Sequence, residues 1–100
     1  MIQDITVIEN QVLVILTGSI YVEEAAHLRE RLLGYIDKGH KTFIIDFGGV
    51  DYIDSSGLGT LITLKKRTLQ NGGNVVIKGL HGKVKDLFQL TQVYKVFEIE

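Results

Sequence analysis

The chain contains no cysteine and no proline among its 100 residues. Without cysteine it can form no disulfide, no thiolate nucleophile and no cysteine-based zinc or iron–sulfur site. Without proline it carries neither a proline-linked cis-peptide switch nor a proline-rich ligand motif. Thiol chemistry and iron–sulfur electron transfer are therefore excluded as functions.

An excess of charge of one sign and long apolar runs are also missing. Eleven Lys and Arg residues against twelve Asp and Glu residues give a net charge of −1, so no global field attracts nucleic acid or an anionic membrane. No uninterrupted apolar stretch approaches the roughly 20 residues that cross a bilayer, and residues 1–5 lack the basic flank of a signal peptide. We expect a cytoplasmic protein that binds neither nucleic acid nor membranes.

The composition is that of an ordinary globular protein. Hydrophobic residues make up 45% of the chain and charged residues 23%, which is enough apolar material for a folded core. A chain of this length fits one domain, and we predict a single domain over residues 1–100. Nothing in the sequence sets the oligomeric state, and a monomer is the simplest expectation.

The hydrophobic pattern predicts strands that alternate with amphipathic helices. Runs of β-branched residues indicate strands, and apolar residues that recur every three or four positions indicate helices. Asn10 and Gln11 separate the first two strands as a hairpin, and Gly39 caps the first helix. The predicted strands are residues 5–9, 12–16, 42–47, 74–78 and an edge strand within 94–99; the predicted helices are residues 22–36, 57–70 and 84–91.

The third strand has an apolar residue at almost every position, as is typical of a central strand covered on both faces. Gly48 and Gly49 are expected to end it, which places Asp46 at its end and Asp51 in a turn. A strand, helix and strand in succession form a right-handed crossover between parallel strands. The fold class is therefore α/β, with a mixed sheet of four to five strands and at least three helices packed against it.

One segment concentrates small and polar residues between a buried strand and a helix. Within it, Asp54, Ser55 and Ser56 are residues that cap helices well, and a helix start carries about half a positive charge that stabilises an anion. Gly57 and Gly59 leave room for a partner or a nucleotide to approach the backbone. Helix capping alone would also account for this composition.

With the glycine turn at Gly18 and the order of the elements, this segment resembles the STAS domain of bacterial anti-sigma factor antagonists. The resemblance covers essentially the whole chain and implies the STAS fold. Its most specific part follows Tyr52 and Ile53 and consists of Asp54, Ser55, Ser56, Gly57, Leu58 and Gly59.

The resemblance implies that Ser56 is a phosphoacceptor, with Ser55 as the neighbouring alternative. It also implies partner switching: the unmodified protein binds an anti-sigma factor that is a serine kinase, phosphorylation releases it, and a PP2C-type phosphatase restores binding. The expected partner-binding residues are Asp54, Ser55, Ser56, Gly57, Leu58 and Gly59, with Ser19 and Tyr21 on an adjacent loop.

Tyr21 departs from the family pattern, because many members carry an acidic residue at this place. The departure is compatible with a different kinase partner, or with a STAS module that serves as a scaffold in a stressosome-like or other bacterial regulatory complex. Tyr21 itself either packs against the edge of the sheet or contacts a partner.

We expect no enzymatic activity, catalytic residue, cofactor or bound metal. His27, His40 and His81 are far apart and lack the carboxylate spacing of a metal site. Residues 65–67 form a short basic run that we interpret as a solvated helix face, with contact to acidic residues of a partner as the alternative. A serine hydrolase would need glycine where Asp54 stands, two residues before the nucleophile.

Overall fold

A computed structural model describes all residues from 1 to 100. The predicted order of strands and helices is confirmed. A single 3-10 turn, Val93–Lys95, precedes the last strand. The strands are β1 (Ile2–Ile8), β2 (Gln11–Ile20), β3 (Thr42–Ile53), β4 (Asn74–Lys78) and β5 (Glu98–Ile99), and the helices are α1 (Val22–Asp37), α2 (Ser55–Gln70) and α3 (Gly82–Leu90).

The five strands form one mixed sheet in the order β1-β2-β3-β4-β5. β1 is antiparallel to β2, whereas the other neighbours are parallel. Each pair of parallel neighbours is joined by a helix-containing crossover. Because right-handed crossovers between successive neighbours all lie on the same side of a sheet, α1, α2 and α3 cover one face.

The burial of alternate residues confirms that only one face of the sheet is covered. On β3, Phe43, Ile45 and Phe47 are fully buried in the core, and Phe47 meets Phe88 of α3 edge-on with ring centroids 5.8 Å apart. Ile44, which points to the other face, is only half-buried and lies outside the core cluster. The expectation of a central strand covered on both faces is therefore wrong.

The two glycines after Phe47 do not end β3, which continues to Ile53. The pairing of β2 with β3 shifts register near Thr17, and a Cβ at Gly49 would lie 2.9 Å from Thr17 Cγ2. The glycines thus permit the close approach at this irregularity. Asp46 lies within the strand, where its Oδ1 accepts a hydrogen bond from Gly48 N at 2.8 Å. Asp51 is also in the strand and not in a turn.

β2 likewise continues past the expected end at Leu16. Gly18 has a φ of +73° in the irregular part of the ladder, a conformation that favours glycine. In the hairpin loop the positive φ falls on Glu9, at +57°, and not on the neighbouring asparagine. At the start of β1, burial lowers the pKa of the Met1 amino group, and the Glu24 carboxylate partly opposes that shift.

Lys65 is buried, which corrects the interpretation of residues 65–67 as a solvated face; Lys66 and Arg67 are exposed as expected. Lys65 Nζ donates a hydrogen bond to Asn74 Oδ1, and Asn74 Nδ2 donates to Glu98 Oε2 at 2.9 Å. The aliphatic stem packs while the ammonium group finds a polar partner. None of the helices combines the length and the apolar character needed to cross a lipid bilayer.

Candidate functional site

The carboxyl ends of β2 and β3 lie side by side at one end of the sheet and position the candidate residues. Ser19 pairs with Tyr52 across the two strands, and Ile20 pairs with Ile53. Asp54 N donates a hydrogen bond to Ile20 O at 3.1 Å. Because a helix follows each strand immediately, the N-termini of α1 and α2 lie side by side.

Asp54 is the N-cap residue of α2. Its backbone is extended, with a φ of −96°, and its Oδ1 accepts a hydrogen bond from Gly57 N at 3.1 Å. Leu58 N donates to the carbonyl oxygen of Asp54 at 3.1 Å and continues the turn. The helix therefore starts at Ser55, two residues earlier than the hydrophobic pattern predicts, and the cap explains why.

The two serines are the first and second residues of α2 and differ in exposure. Ser55 is exposed, whereas Ser56 is half-buried. The side-chain cap of this turn is the Asp54 carboxylate and not a serine hydroxyl. Backbone N–H groups in a first helical turn lack intrahelical partners and carry partial positive charge, so an anion on either hydroxyl would be stabilised there.

The two glycines of this turn have different surroundings. An added Cβ at Gly57 would lie 2.8 Å from Ile53 Cδ1 and 3.1 Å from Ile20 Cγ2, so this glycine lets α2 pack onto the strand ends. Gly59 is exposed and has no atom within 4 Å of a built Cβ. Leu58 is buried in the core. Of these three predicted contact residues, Gly59 is the one that faces open space.

Two exposed side chains near the N-cap of α2 were not among the predicted partner-binding residues. Tyr52 is 41% exposed and Val22 is 63% exposed. Tyr52 packs against Tyr21, which is 51% exposed, with ring centroids 5.6 Å apart and an interplanar angle of 43°. Tyr21, Val22 and Asp54 line the same shallow depression. The sequence places Tyr52 directly before the motif, but its approach to Tyr21 depends on the long-range register of β2 and β3.

We call the exposed and half-buried residues at the carboxyl ends of β2 and β3 the serine surface. Tyr21 belongs to it as the N-cap residue of α1, fixed by a hydrogen bond from its backbone N to Glu24 Oε1 at 2.9 Å. Ser19 is half-buried and lies in β2, not on a loop as expected. The serine surface consists of Tyr21, Val22, Tyr52, Asp54, Ser55, Ser56 and Gly59.

No histidine lines the depression at the serine surface. His40 is half-buried beside Tyr35, with ring centroids 5.5 Å apart, and His81 Nε2 is 3.0 Å from Gly48 O. No three His, Asp or Glu side chains lie close enough together to hold a metal ion. What the geometry offers is two serine hydroxyls on a helix start, bordered by exposed aromatic and apolar side chains.

Comparison with known proteins bears out the fold. The STAS domain family matches residues 3–100. The anti-sigma-B factor antagonist of Bacillus subtilis is 31% identical over 91 residues, which are 91% of this chain and 83% of that protein.

Two solved structures have the same fold. An anti-sigma factor antagonist from Thermotoga maritima superposes with a TM-score of 0.90 at 20% identity, covering 96% of this chain and 83% of the other. The Bacillus cell fate determinant SpoIIAA in its phosphorylated form superposes with a TM-score of 0.80 at 19% identity. The match covers 100% of this chain and 91% of SpoIIAA. The mixed sheet with three helices on one face is the STAS fold, and the chain belongs to the STAS domain family of anti-sigma factor antagonists.

Proposed function

We propose that this protein is a phosphorylation-controlled switch of the cytoplasm. In its unmodified form it binds an anti-sigma factor that is also an ATP-dependent serine kinase, and it thereby frees the sigma factor. Phosphorylation of Ser56 by that kinase ends the complex, and a PP2C-type phosphatase restores the hydroxyl. The observation that carries the proposal is the position of Ser56, half-buried in the first turn of α2 within the serine surface.

The local charges explain how a phosphoryl group would act at this position. Phosphorylation adds about −1.5 to −2 charges. The helix start would stabilise the group in the free protein, so no refolding is needed. Asp54 already places a carboxylate at the cap, and together the two groups would make the surface strongly anionic. An interface formed with the neutral serine would then have to bury unpaired negative charge.

The size of the switch requires that Ser56 lies inside the interface. Moving a population from 1:99 to 99:1 takes about 5.5 kcal/mol. Exposed charge pairs contribute about 1 kcal/mol or less, whereas one buried charge without a partner costs about 3–5 kcal/mol, and a phosphoryl group of about −1.5 to −2 charges exceeds that. The exposed rings of Tyr21 and Tyr52, together with Val22, would form the apolar surroundings that exclude water around the serine.

The relatives support a regulatory role. One is named as an anti-sigma-B factor antagonist, and SpoIIAA was solved in a phosphorylated form. Transfer of these properties to the present chain is a proposal. Ser56 is preferred to Ser55 because Ser56 is partly enclosed, so that a modification there changes the contact surface most.

The acceptor is tested by incubating the protein with ATP and the anti-sigma factor kinase of the same organism, followed by mass spectrometric mapping. We expect phosphate on Ser56 in the wild type and in Ser55→Ala, and none in Ser56→Ala. Phosphate found only on Ser55 would show that Ser55, and not Ser56, is the acceptor. No phosphate on either serine would refute the switch and favour a scaffold role in a stressosome-like complex.

The mechanism is tested by calorimetric titration of the same kinase with charge variants. Ser56→Asp should bind at least about tenfold more weakly than Ser56→Ala, which corresponds to about 1.4 kcal/mol. Ser55→Asp is the matched control, with the same charge one residue away on the exposed side. Equal affinities of Ser56→Asp and Ser56→Ala would show that charge exclusion is not the mechanism.

A further inference from the structure

β1 forms a long and unprotected edge of the sheet. It spans seven residues and pairs only with β2, whereas β5 at the opposite edge has two residues. Natural proteins block such edges with proline, lysine, bulges or short strands. β1 contains neither proline nor lysine, Asp4 is its one charged residue, and its one register irregularity precedes Asp4, which leaves Asp4 to Ile8 regular. Its outer backbone groups are therefore a template for a further strand.

We propose that β1 pairs with β1 of a second copy of this chain, in antiparallel orientation about a two-fold axis at Ile5. The two sheets would then join into one continuous sheet. This inference is independent of the proposed phosphorylation switch, and it replaces the monomer expected from the sequence.

The sequence of β1 is complementary to itself in this register. Centring the pair on Ile5 places Asp4 opposite Thr6 of the other copy, and Gln3 opposite Val7. Within one strand, Thr6 Oγ1 donates a hydrogen bond to Asp4 Oδ2 at 2.7 Å. The same donor and acceptor can form a hydrogen bond between the two copies, where Thr6 of one lies opposite Asp4 of the other. Centring on Asp4 would oppose two carboxylates, and centring on Thr6 would place Asp4 against Ile8.

The geometry of the hairpin supplies the backbone groups for this pairing. Ile8 and Gln11 flank its two-residue loop and so form a hydrogen-bonded pair, and such pairs alternate with non-hydrogen-bonded ones along an antiparallel ladder. Val7 and Ile5 therefore turn their N–H and C=O groups away from β2. The register shift between Ile2 and Asp4 ends the regular part of the strand, so the ladder centres on Ile5 and its outermost pairs join Val7 to Gln3 beside that shift.

The pairing leaves the serine surface free. That surface lies at the carboxyl ends of β2 and β3, and none of the residues from Gln3 to Val7 lines the depression formed by Tyr21, Val22 and Asp54. A dimer formed through β1 would therefore present two copies of the serine surface, each open to its own partner.

The test measures the dimer dissociation constant by sedimentation velocity across the micromolar range, with Thr6 variants. Thr6 is exposed, and each dimer contains two Asp4–Thr6 pairs. Thr6→Asp should raise the constant by about 2- to 30-fold, because it opposes carboxylates, and Thr6→Lys should lower it by a similar factor. Both shifts should shrink at high salt. Thr6→Val is the neutral control, and circular dichroism checks that each variant is folded.

Hydrogen exchange at low and high protein concentration locates the contact. We expect concentration-dependent protection of the amides of Ile5 and Val7, with no such protection at the serine surface. A wild type that stays monomeric throughout the range would overturn the proposal. So would equal effects of Thr6→Asp and Thr6→Lys, or protection confined to another strand.

Discussion

Gly57 and Gly59 lie two residues apart in the same helix, and we predict that alanine affects stability in opposite directions at the two positions. At Gly57 the added methyl group would lie 2.8 Å from Ile53 Cδ1 and closer still to Ile53 Cγ1. Ile53 and Ile20, the other neighbour, are each only 1% exposed, so neither can move aside into solvent. At Gly59 the methyl group meets no atom within 4 Å.

The magnitudes follow from two opposing effects. Alanine in place of a helical glycine stabilises by about 0.5–1 kcal/mol, since the unfolded chain loses freedom. Forcing an extra methyl group into a packed core costs about 1–3 kcal/mol, and the short distances at Gly57 place it near the upper limit. Gly57→Ala should thus lower the free energy of unfolding by about 2 kcal/mol, whereas Gly59→Ala should raise it by about 0.5–1 kcal/mol.

Urea titration and thermal melting, both followed by circular dichroism, measure these changes. At about 4–8 °C per kcal/mol for a domain of this size, Gly57→Ala should melt roughly 10 °C below the wild type and Gly59→Ala a few degrees above it. A Gly57→Ala protein as stable as Gly59→Ala would refute the packing argument. Gly59→Ala should nevertheless weaken partner binding, because the open space at Gly59 is available to a docking protein.

Two further predictions concern the serine surface at the carboxyl ends of β2 and β3. Asp54→Ala should lower the free energy of unfolding by about 1 kcal/mol through loss of the N-cap, and Asp54→Asn should restore most of it in urea titrations; equal losses would argue against capping. Tyr52→Ala should weaken kinase binding by about tenfold, as truncation of an interface aromatic typically does. Tyr94→Ala is its matched control, since Tyr94 is also 41% exposed, and equal effects would contradict a role for the tyrosine pair.

Elements with strong local signals could be predicted from the sequence. Gly39, at a φ of +96°, follows α1 as expected, since few other residues adopt that conformation at a helix end. β4 has the predicted bounds, Asn74–Lys78, because glycines on both sides of this short apolar run limit the strand. The capping residues of α2 were also evident, although the hydrophobic pattern placed the helix start two residues late.

Features that depend on contacts between distant residues could not be predicted. Gly48 and Gly49 look like strand terminators, but pairing with β2 and the close approach at Thr17 make them part of β3. Lys65 looks solvated in a basic run, but its stem is buried and Asn74, nine residues away, accepts a hydrogen bond from its ammonium group. Tyr52 stands directly before the motif in the sequence, but only the register that brings it to Tyr21 makes it part of the site.

The packing of Gly57 connects the fold to the proposed switch. Because this residue has no side chain, the first turn of α2 lies directly on Ile53 and Ile20, and this close packing fixes the turn that carries Ser56 on the strand ends. A group held on a rigid helix start can act by its charge alone, since phosphorylation changes the surface without needing the backbone to move. The same rigidity predicts that Gly57→Ala, by displacing the start of α2, should impair phosphorylation of Ser56 even at temperatures where the variant is folded, whereas Gly59→Ala should leave that hydroxyl in place.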